Sequence, residues 1–375
     1  MSCVVREVLN RRQMRDFLQL PCRIYEGNPH WVPPLNGEIR RTLDPKRNPY
    51  FRNASLNLYV CYREGVPVAR TILVISEEHC TTFNVKTGFF GFLEAYNDAE
   101  AVRSLFEFLA TRCRERNIDT LEGPFNPNSY SELGLLADRY DEDPSFFQTY
   151  NPPYYHDLLA AAGFEEAEGL FTGRNPDLHA YFAAHPLDCS PRVKEGEYIV
   201  RPFSLRKFDR DLEAVREVFN DAFASNWHFL PASAEEHKFS SKYLMMVSDP
   251  VLVAIVEHRG TPVGVLLCVL DVNPLLREFH GTTGPLKYFL FRRKRKSIKT
   301  LIVFAVGIKK AYQRTRVYAL LTDAMRRMAR GYDVLESSWM SPSNPLSIAA
   351  AWRMGMEEYK HFKIYRKRLR VESDE

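Results

Sequence analysis

Between Phe279 and Thr322 the chain carries eleven cations and no Asp or Glu, and five of those cations run consecutively from Arg292 to Lys296. Chemistry of one sign over such a stretch attracts anions: phosphates, acidic lipids or polyanions. In its first part, GPLKYFLFRRKRKSIK, Tyr288, Phe289, Leu290 and Phe291 stand directly before the basic run. Rings next to cations suit an anionic membrane surface, where rings settle at headgroup level and cations meet lipid charge. A nucleic acid would use the same charge, though no nucleic-acid fold signature accompanies it. A solvated connection with its aromatics tucked into a core reads the same way. In the second part Lys309, Lys310, Arg314 and Arg316 gather around Gln313, a set able to hold phosphates by charge. Further on, Glu336 is the only charged residue in the run ESSW. It is a candidate general base, or else a strand carboxylate bonded to neighbouring hydroxyls or facing solvent.

Other chemical devices are missing from the sequence. There is no GxGxxG, Walker A, HExxH or GxSxG motif. The ten histidines show no metal-ligand spacing, and His228, His280 and His361 read as structural or surface groups. The seven cysteines are scattered and form no CxxC pair, which argues against zinc or a disulfide framework and for a reducing compartment.

The elements that must position these groups follow from local pattern. Leu56–Arg63 and Val66–Ser76 alternate around Glu64-Gly65, which predicts a hairpin. Gly88–Ala95 reads as an apolar strand, and Asn97-Asp98 cap the periodic helix AVRSLFEFLATRCRE. Asp119–Gly123 is a short strand leading into the loop GPFNPNSYSELG. A helix opened by Asn151-Pro152 stops at Gly163. Before all of these come a strand at Val4-Val5, a helix over Asn10–Leu18, and an irregular Pro-rich excursion over Pro21–Pro49.

A polar passage over His185–Glu197 follows, and then the same order returns. Tyr198–Pro202 is a strand, Asp211–Ala224 a helix, and Val251–Glu257 with Val263–Leu270 a hairpin around Arg259-Gly260. Next come a strand over Lys299–Val306, a helix over Val317–Arg330 and a strand over Asp333–Trp339. A helix over Asn344–Met354, closed by Gly355, precedes a last strand at Tyr359–Lys367 and a polar tail. Both halves thus read strand, helix, hairpin, strand, helix, strand, helix, strand. The expected organisation is α/β with two tandem lobes over 1–185 and 195–375, each a mixed, mostly antiparallel sheet with helices on both faces.

Bulk properties agree. A chain of 375 residues exceeds one ordinary core and suits two domains. With 45% hydrophobic and 26% charged residues the composition is globular, and a net charge of +4 marks no general polyanion binder. The N-terminal MSCVVREVLNRRQMRDFL is broken by arginines and does not read as a signal peptide. No run of about 18 apolar residues could span a membrane. The expected location is the cytoplasm, with contact to the inner face of the membrane as an option.

The element order resembles the GNAT superfamily, and the wording resembles one branch of it. FLQLPCRIYEGNPHWVPPL (17–35), KRNPYF (46–51), GFFGFLEAYND (88–98), LEGPFNPNSYSELGLL (121–136) and YNPPYYHDLLAAAGF (150–164) look like that branch's first half. FNDAFASNWHFLP (219–231), VGIKKAYQRTRVYALL (306–321), ESSWMSPSN (336–344) and GMEEYKHFKIYRK (355–367) look like its second. Members of this branch that are bacterial ceramide synthases move a fatty acyl group from coenzyme A to a sphingoid base. The resemblance therefore implies an acyl-CoA-dependent N-acyltransferase, needing no metal or further cofactor, with acyl-CoA and a primary amine, in this case a lipid amine, as partners.

The resemblance also implies roles. In a GNAT lobe two parallel strands splay and the pantetheine arm lies in the gap, while the next helix offers its N-terminal amides to the pyrophosphate. The family's signature for that turn is Gln or Arg, two residues, Gly, one residue, then Gly or Ala. Gln313 fits, but Arg316 and Tyr318 stand where the small residues belong. Either Lys309, Lys310, Arg314 and Arg316 replace the backbone cradle by charge, or the site has decayed and the protein binds a lipid or partner without catalysis. The corresponding turn of the first half, Tyr96–Glu100, has two acids and no cation, which makes the first lobe a scaffold and substrate wall. The backbone of the apolar strand, with Val306 and Gly307, would contact thioester and pantetheine. Glu336 is the candidate base, Tyr359 the candidate acid with Tyr365 second, and Asn344 a helix cap or a ligand contact. A small polar amine acylated by an acetyltransferase of the same superfamily stays open as a milder alternative.

Overall fold

The computed structural model describes residues 3–128, 130–186, 197–247, 252–282 and 284–369. Most of the polar passage over 185–197, the tail after 369 and the first expected residue of the 251–257 strand lie outside them. The chain divides into two units. Unit 1 is Met1–Leu170 with Leu276–Thr283 and Lys360–Glu375, and unit 2 is Phe171–Leu275 with Gly284–Tyr359.

In chain order the first half forms β1 (Cys3–Glu7), α1 (Arg11–Ile24), α2 (Asn36–Thr42), β2 (Ala54–Arg63), β3 (Val66–Ser76), α3 (Glu77–Phe83), β4 (Thr87–Ala95) and α4 (Ala99–Arg114). It continues through β5 (Thr120–Gly123), β6 (Phe125–Asn126), β7 (Glu132–Leu133), β8 (Leu135–Leu136), α5 (Tyr155–Ala161) and β9 (Glu165–Asn175). The second half forms α6 (Leu178–Ala184), β10 (Tyr198–Pro202), α7 (Phe208–Ala222), α8 (Ala234–Val247), β11 (Val253–His258), β12 (Thr261–Leu270), α9 (Asn273–Phe279) and α10 (Pro285–Lys294). It ends with β13 (Thr300–Ile308), α11 (Val317–Ala329), β14 (Val334–Ser337), α12 (Pro345–Trp352) and β15 (Glu357–Arg368).

Turn chemistry fixes both hairpins. Glu64-Gly65 and Arg259-Gly260 have positive φ at both residues, 51° and 77° in the first and 51° and 81° in the second. That is the primed turn whose twist matches the flanking strands. The two helices expected to stop at a glycine do so, with Gly163 at φ 81° and Gly355 at φ 68°. The excursion over Pro21–Pro49 is more regular than expected. Asn10 and Gln13 form a reciprocal capping box on α1, which carries the helix to Ile24 with Pro21 in its last turn.

Within unit 1, β1 to β4 form an antiparallel meander, β4 and β5 are parallel, and the end of β15 pairs antiparallel with β5. Arg70 on β3 faces α1, its guanidinium 4.5 Å from the centre of the Phe17 ring. Leu73 and Ile75 face the other way into the core below α4. That core includes Val102, Leu105, Phe106, Leu109 and Cys113, spaced on one face of α4. Burial of each such side chain contributes about 1.5–3 kcal/mol.

Unit 2 repeats the arrangement. β10 to β13 form an antiparallel meander, β13 and β14 are parallel, and Arg174-Asn175 of β9 pair antiparallel with β14. Gly307 of β13 lies against Phe219 and Val218 of α7, and Gly264 of β12 against Val317 and Leu321 of α11. Gly307 pairs with Val265 and Gly264 with Ile308, so α7 and α11 cover opposite faces. The segment over 285–297 differs from the expected connection: it forms α10 and a short 3-10 turn.

Candidate active site

In unit 2 the parallel pairing of β13 with β14 runs only from Thr300↔Val334 to Val303↔Ser337. The register of β13 on β12 shifts between Leu267 and Cys268, which leaves Phe304 as a bulge. After Val303 the strands part, and Ser338 bonds across the opening, its N–H to the Val303 carbonyl at 2.9 Å and its hydroxyl to the Phe304 carbonyl at 2.8 Å. Among the described residues no strand pairs with β13 on this side beyond that point. Phe304, Ala305 and Val306 are half-buried, while Gly307 is buried under α7. A bulged strand with an open edge presents main-chain groups to anything laid along it.

Glu336 and Tyr359, nominated separately, are joined through Arg174. Glu336 is 3% exposed and in register with Arg174 across β14 and β9. The Arg174 Nε lies 3.5 Å from Glu336 Oε1. Its Nη1 donates to the hydroxyl oxygen of Tyr359, and the guanidinium stacks 4.7 Å from the centre of the Tyr359 ring. Because the phenol oxygen accepts from a cation, the O–H of Tyr359 points away from Arg174 as a donor. Of the three readings open for Glu336, a carboxylate facing solvent is excluded. Its neighbours are also engaged, Ser337 accepting from the Gly173 N–H at 2.8 Å.

The candidate phosphate turn is built without left-handed backbone. Lys310–Tyr312 make a single 3-10 turn, Gln313 and Arg316 are both right-handed helical, and no described residue from Lys309 to Tyr318 has a positive φ. Glycine is thus not needed here for conformation, only for close approach. Arg314 and Arg316 are exposed, and Arg316 places no side-chain cap on α11, whose Val317 N–H donates to Thr315 Oγ1 at 3.4 Å. Lys309 is held by Glu217 at 3.2 Å, and the Lys310 N–H donates to Asp221. The half-buried Tyr318 ring lies under the Arg353 guanidinium at 4.9 Å. Asn344 caps α12, its side-chain oxygen accepting from the Ser347 N–H at 3.2 Å.

Unit 1 closes both features. β4 and β5 pair only from Thr87↔Thr120 to Phe89↔Glu122, but the ribbon β6–β7 fills the gap beyond. A Cβ on Gly91 would sit 1.7 Å from the Phe125 carbonyl oxygen, and the Phe92 N–H donates to Asn126 Oδ1 at 2.6 Å. At the start of α4, Asp98 accepts from the Ala101 N–H at 3.0 Å and pairs with Arg63 at 2.8 Å. The place a phosphate would take is held by a carboxylate of the chain itself.

Architecture of this kind is known. The chain superposes on a tandem GNAT protein from the clavulanic acid biosynthesis pathway with a TM-score of 0.57 and 14% identity, covering 99% of this chain and 100% of that one. The fold is that of a tandem GNAT protein. No family model matches. In sequence the chain is 28% identical to the bacterial ceramide synthase of Caulobacter vibrioides, over 95% of each chain. It is 25% identical to the protein YghO of Escherichia coli K12, over 98% of this chain and 95% of that one.

Each GNAT-like unit has a bulge on its fourth strand, at Phe92 (φ 48°) in unit 1 and Phe304 in unit 2. Only the unit 2 bulge is followed by an open edge among the described residues. Tyr365, the second candidate acid, belongs to unit 1, where its hydroxyl meets His156 Nδ1 at 2.6 Å and burial pushes it up to about 12. Among the described residues no group of three or more His, Cys, Asp or Glu side chains could hold a metal ion.

Sequence reasoning missed two clusters. Arg174 is one, lying outside every quoted phrase. The other is in unit 1, where four of the five phrases of the first half converge. Glu94 accepts from the hydroxyls of Tyr25 at 2.9 Å and Tyr155 at 2.8 Å, with Arg70 Nη2 3.8 Å away. Trp31 stacks on Tyr25 at 4.8 Å. Glu132, cross-strand from Asn126 and bonded to its side chain, is pushed up to about 7 by burial, with the charge of Glu94 adding to it. Wording shared across distant phrases was the available signal.

Proposed function

We propose that this chain transfers a long-chain acyl group from coenzyme A to the primary amine of a sphingoid-type lipid base, with the thioester held in unit 2. The observation that carries this is the Glu336–Arg174–Tyr359 cluster on β14, β9 and β15, next to the edge of β13 that opens after Val303. Likeness in sequence along nearly the whole chain to a ceramide synthase supports the lipid acceptor. The filled gap and the Asp98 cap in unit 1 support a donor site in unit 2 alone, with unit 1 as scaffold and substrate wall.

The chemistry follows from these groups. The amine nitrogen attacks the thioester carbonyl, the oxyanion is met by main-chain N–H groups of β13 around Ala305 and Val306, and the tetrahedral adduct expels the thiolate. Glu336 takes the proton that nitrogen loses, and Tyr359 gives its proton to the sulfur. Arg174 holds both side chains and balances the buried carboxylate. Gln313, Arg314 and Arg316 at the start of α11 would receive the coenzyme A phosphates with Lys310, and Lys309 would join on release from Glu217. Gly307 fixes β13 against α7, and Asn344 shapes the cleft through the cap of α12.

The test is thiol release from palmitoyl-CoA in the presence of sphinganine, beside thermal stability with palmitoyl-CoA, acetyl-CoA and free coenzyme A. A ligand that binds only the folded state raises the melting temperature. Stabilisation should be largest for palmitoyl-CoA and vanish in Arg314→Glu/Arg316→Glu. Tyr359→Phe and Glu336→Gln should each lower turnover by about 100-fold while leaving that stabilisation in place. Stabilisation without turnover in the native protein would favour the rival reading, to which Arg316 and Tyr318 in the small-residue positions point: a GNAT pair that binds a lipid or partner without catalysis. Turnover fastest with acetyl-CoA and a small amine would replace the lipid acceptor.

A further inference from the structure

The aromatic and basic run that the sequence left between three uses forms a helix with its large apolar residues outside. Pro285 opens α10, and the Tyr288 N–H donates to the Gly284 carbonyl at 2.9 Å. Of the apolar side chains only Phe291 is buried, at 5% exposure, whereas Leu286 is 70% exposed, Phe289 63% and Tyr288 53%. Leu286 and Phe289 are three residues apart and so neighbours on the helix surface. At the other end Arg292, Arg293, Lys294 and Lys296 are exposed. Three cations in a last turn suit the helix dipole, and that alone would explain them. It does not explain a leucine and a phenylalanine held side by side in water one turn earlier.

We propose that α10 and the turn after it dock this protein on an anionic lipid bilayer, with Leu286, Tyr288 and Phe289 at the boundary between headgroups and acyl chains and Arg292 to Lys296 on the lipid phosphates. The purpose of this contact rests on the lipid-acceptor reading above; the contact itself is measured separately. Charge complementarity names the lipid as anionic, since no Asp or Glu occurs between Phe279 and Thr322. A polynucleotide would satisfy the cations but offer Leu286 nothing, whereas a bilayer interface takes both ends of the helix at once. Ten residues are far too few to cross, so the helix lies on the membrane.

The experiment is flotation of the full-length protein with vesicles of phosphatidylcholine containing about one third phosphatidylglycerol, against phosphatidylcholine alone. The protein should float with the anionic vesicles in about 0.1 M salt and be released in about 0.5 M. Leu286→Glu/Phe289→Glu and Arg292→Glu/Arg293→Glu should each lower the bound fraction at least tenfold. All four side chains are exposed, and unchanged stabilisation by palmitoyl-CoA in both variants verifies that the fold and the donor site persist. Loss of that stabilisation in the native protein would count against the enzyme reading and leave the docking result standing. No flotation at low salt, or variants that float like the native protein, would overturn the docking proposal. Tight binding of single-stranded RNA that survives Leu286→Glu/Phe289→Glu, with weak flotation, would overturn it in favour of a nucleic acid.

Discussion

Arg174 shows how one side chain can give two others their meaning. It contacts Glu336 through Nε and Tyr359 through Nη1, and a planar guanidinium can hold both directions at once. A lysine supplies the charge as a single point and cannot. Arg174→Lys should therefore cut kcat by about tenfold with little change in KM for acyl-CoA, the split expected when positioning and not binding is lost. Glu132 makes a prediction on stability. Its folded value is about 7 against an ordinary 4.5, so between these values the folded protein keeps a proton that the unfolded chain releases. Stability on this account falls as pH rises from 4.5 to 7 and is level above. Glu132→Gln should then raise the melting temperature at pH 8 by a few degrees, about 1–2 kcal/mol, and leave it unchanged at pH 4.5. Glu336 and Tyr359 were open to nomination as catalytic groups from residue type and element order alone. Arg174 was not, because it lies 185 residues from Tyr359 and only strand register brings them together.

At the scale of elements, local pattern carried far. Val66–Ser76 is the strand its alternation describes, Tyr198–Pro202 is a strand as expected, and both hairpins turn where Glu64-Gly65 and Arg259-Gly260 require. Helices whose faces are not cleanly amphipathic escaped. α10 mixes exposed rings with cations, and α8 has apolar residues on several sides, so neither shows the single stripe that marks a helix in sequence. The ribbon β6–β7 is too short for any period, yet it fills the gap beyond the pairing of β4 with β5. Its tightest contact gives a clear prediction: Gly91→Ala sets a methyl group into the Phe125 carbonyl and should cost about 3 kcal/mol or more, close to 10 °C in melting temperature. Gly37→Ala in α2, with nothing within 4 Å of the added atom, should be neutral or stabilising by at most about 1 kcal/mol. Thermal melts of both variants separate a steric effect from a general intolerance of glycine replacement.

At the scale of the whole molecule, the sheets do not follow the halves of the sequence. Unit 1 is completed by Tyr365–Arg368 of β15 on β5 and by Phe362-Lys363 on β8, and unit 2 takes Arg174-Asn175 of β9 on β14. Element order alone could not have revealed this, since each last strand fits either sheet by pattern. A fragment ending at residue 185 lacks the strand that covers β5 and β8. It should fail to give a cooperative melt, and mixing it with a fragment 195–375 should restore one. The arrangement also bears on the ribosome. Domains of a nascent chain generally settle in order of emergence, but here the first unit waits for Tyr365–Arg368, which follow the whole of unit 2 in the chain. Unit 1 must wait through the synthesis of unit 2 with the edge of β5 uncovered, so this protein is expected to lean on chaperones during synthesis more than a pair of separately closed lobes would.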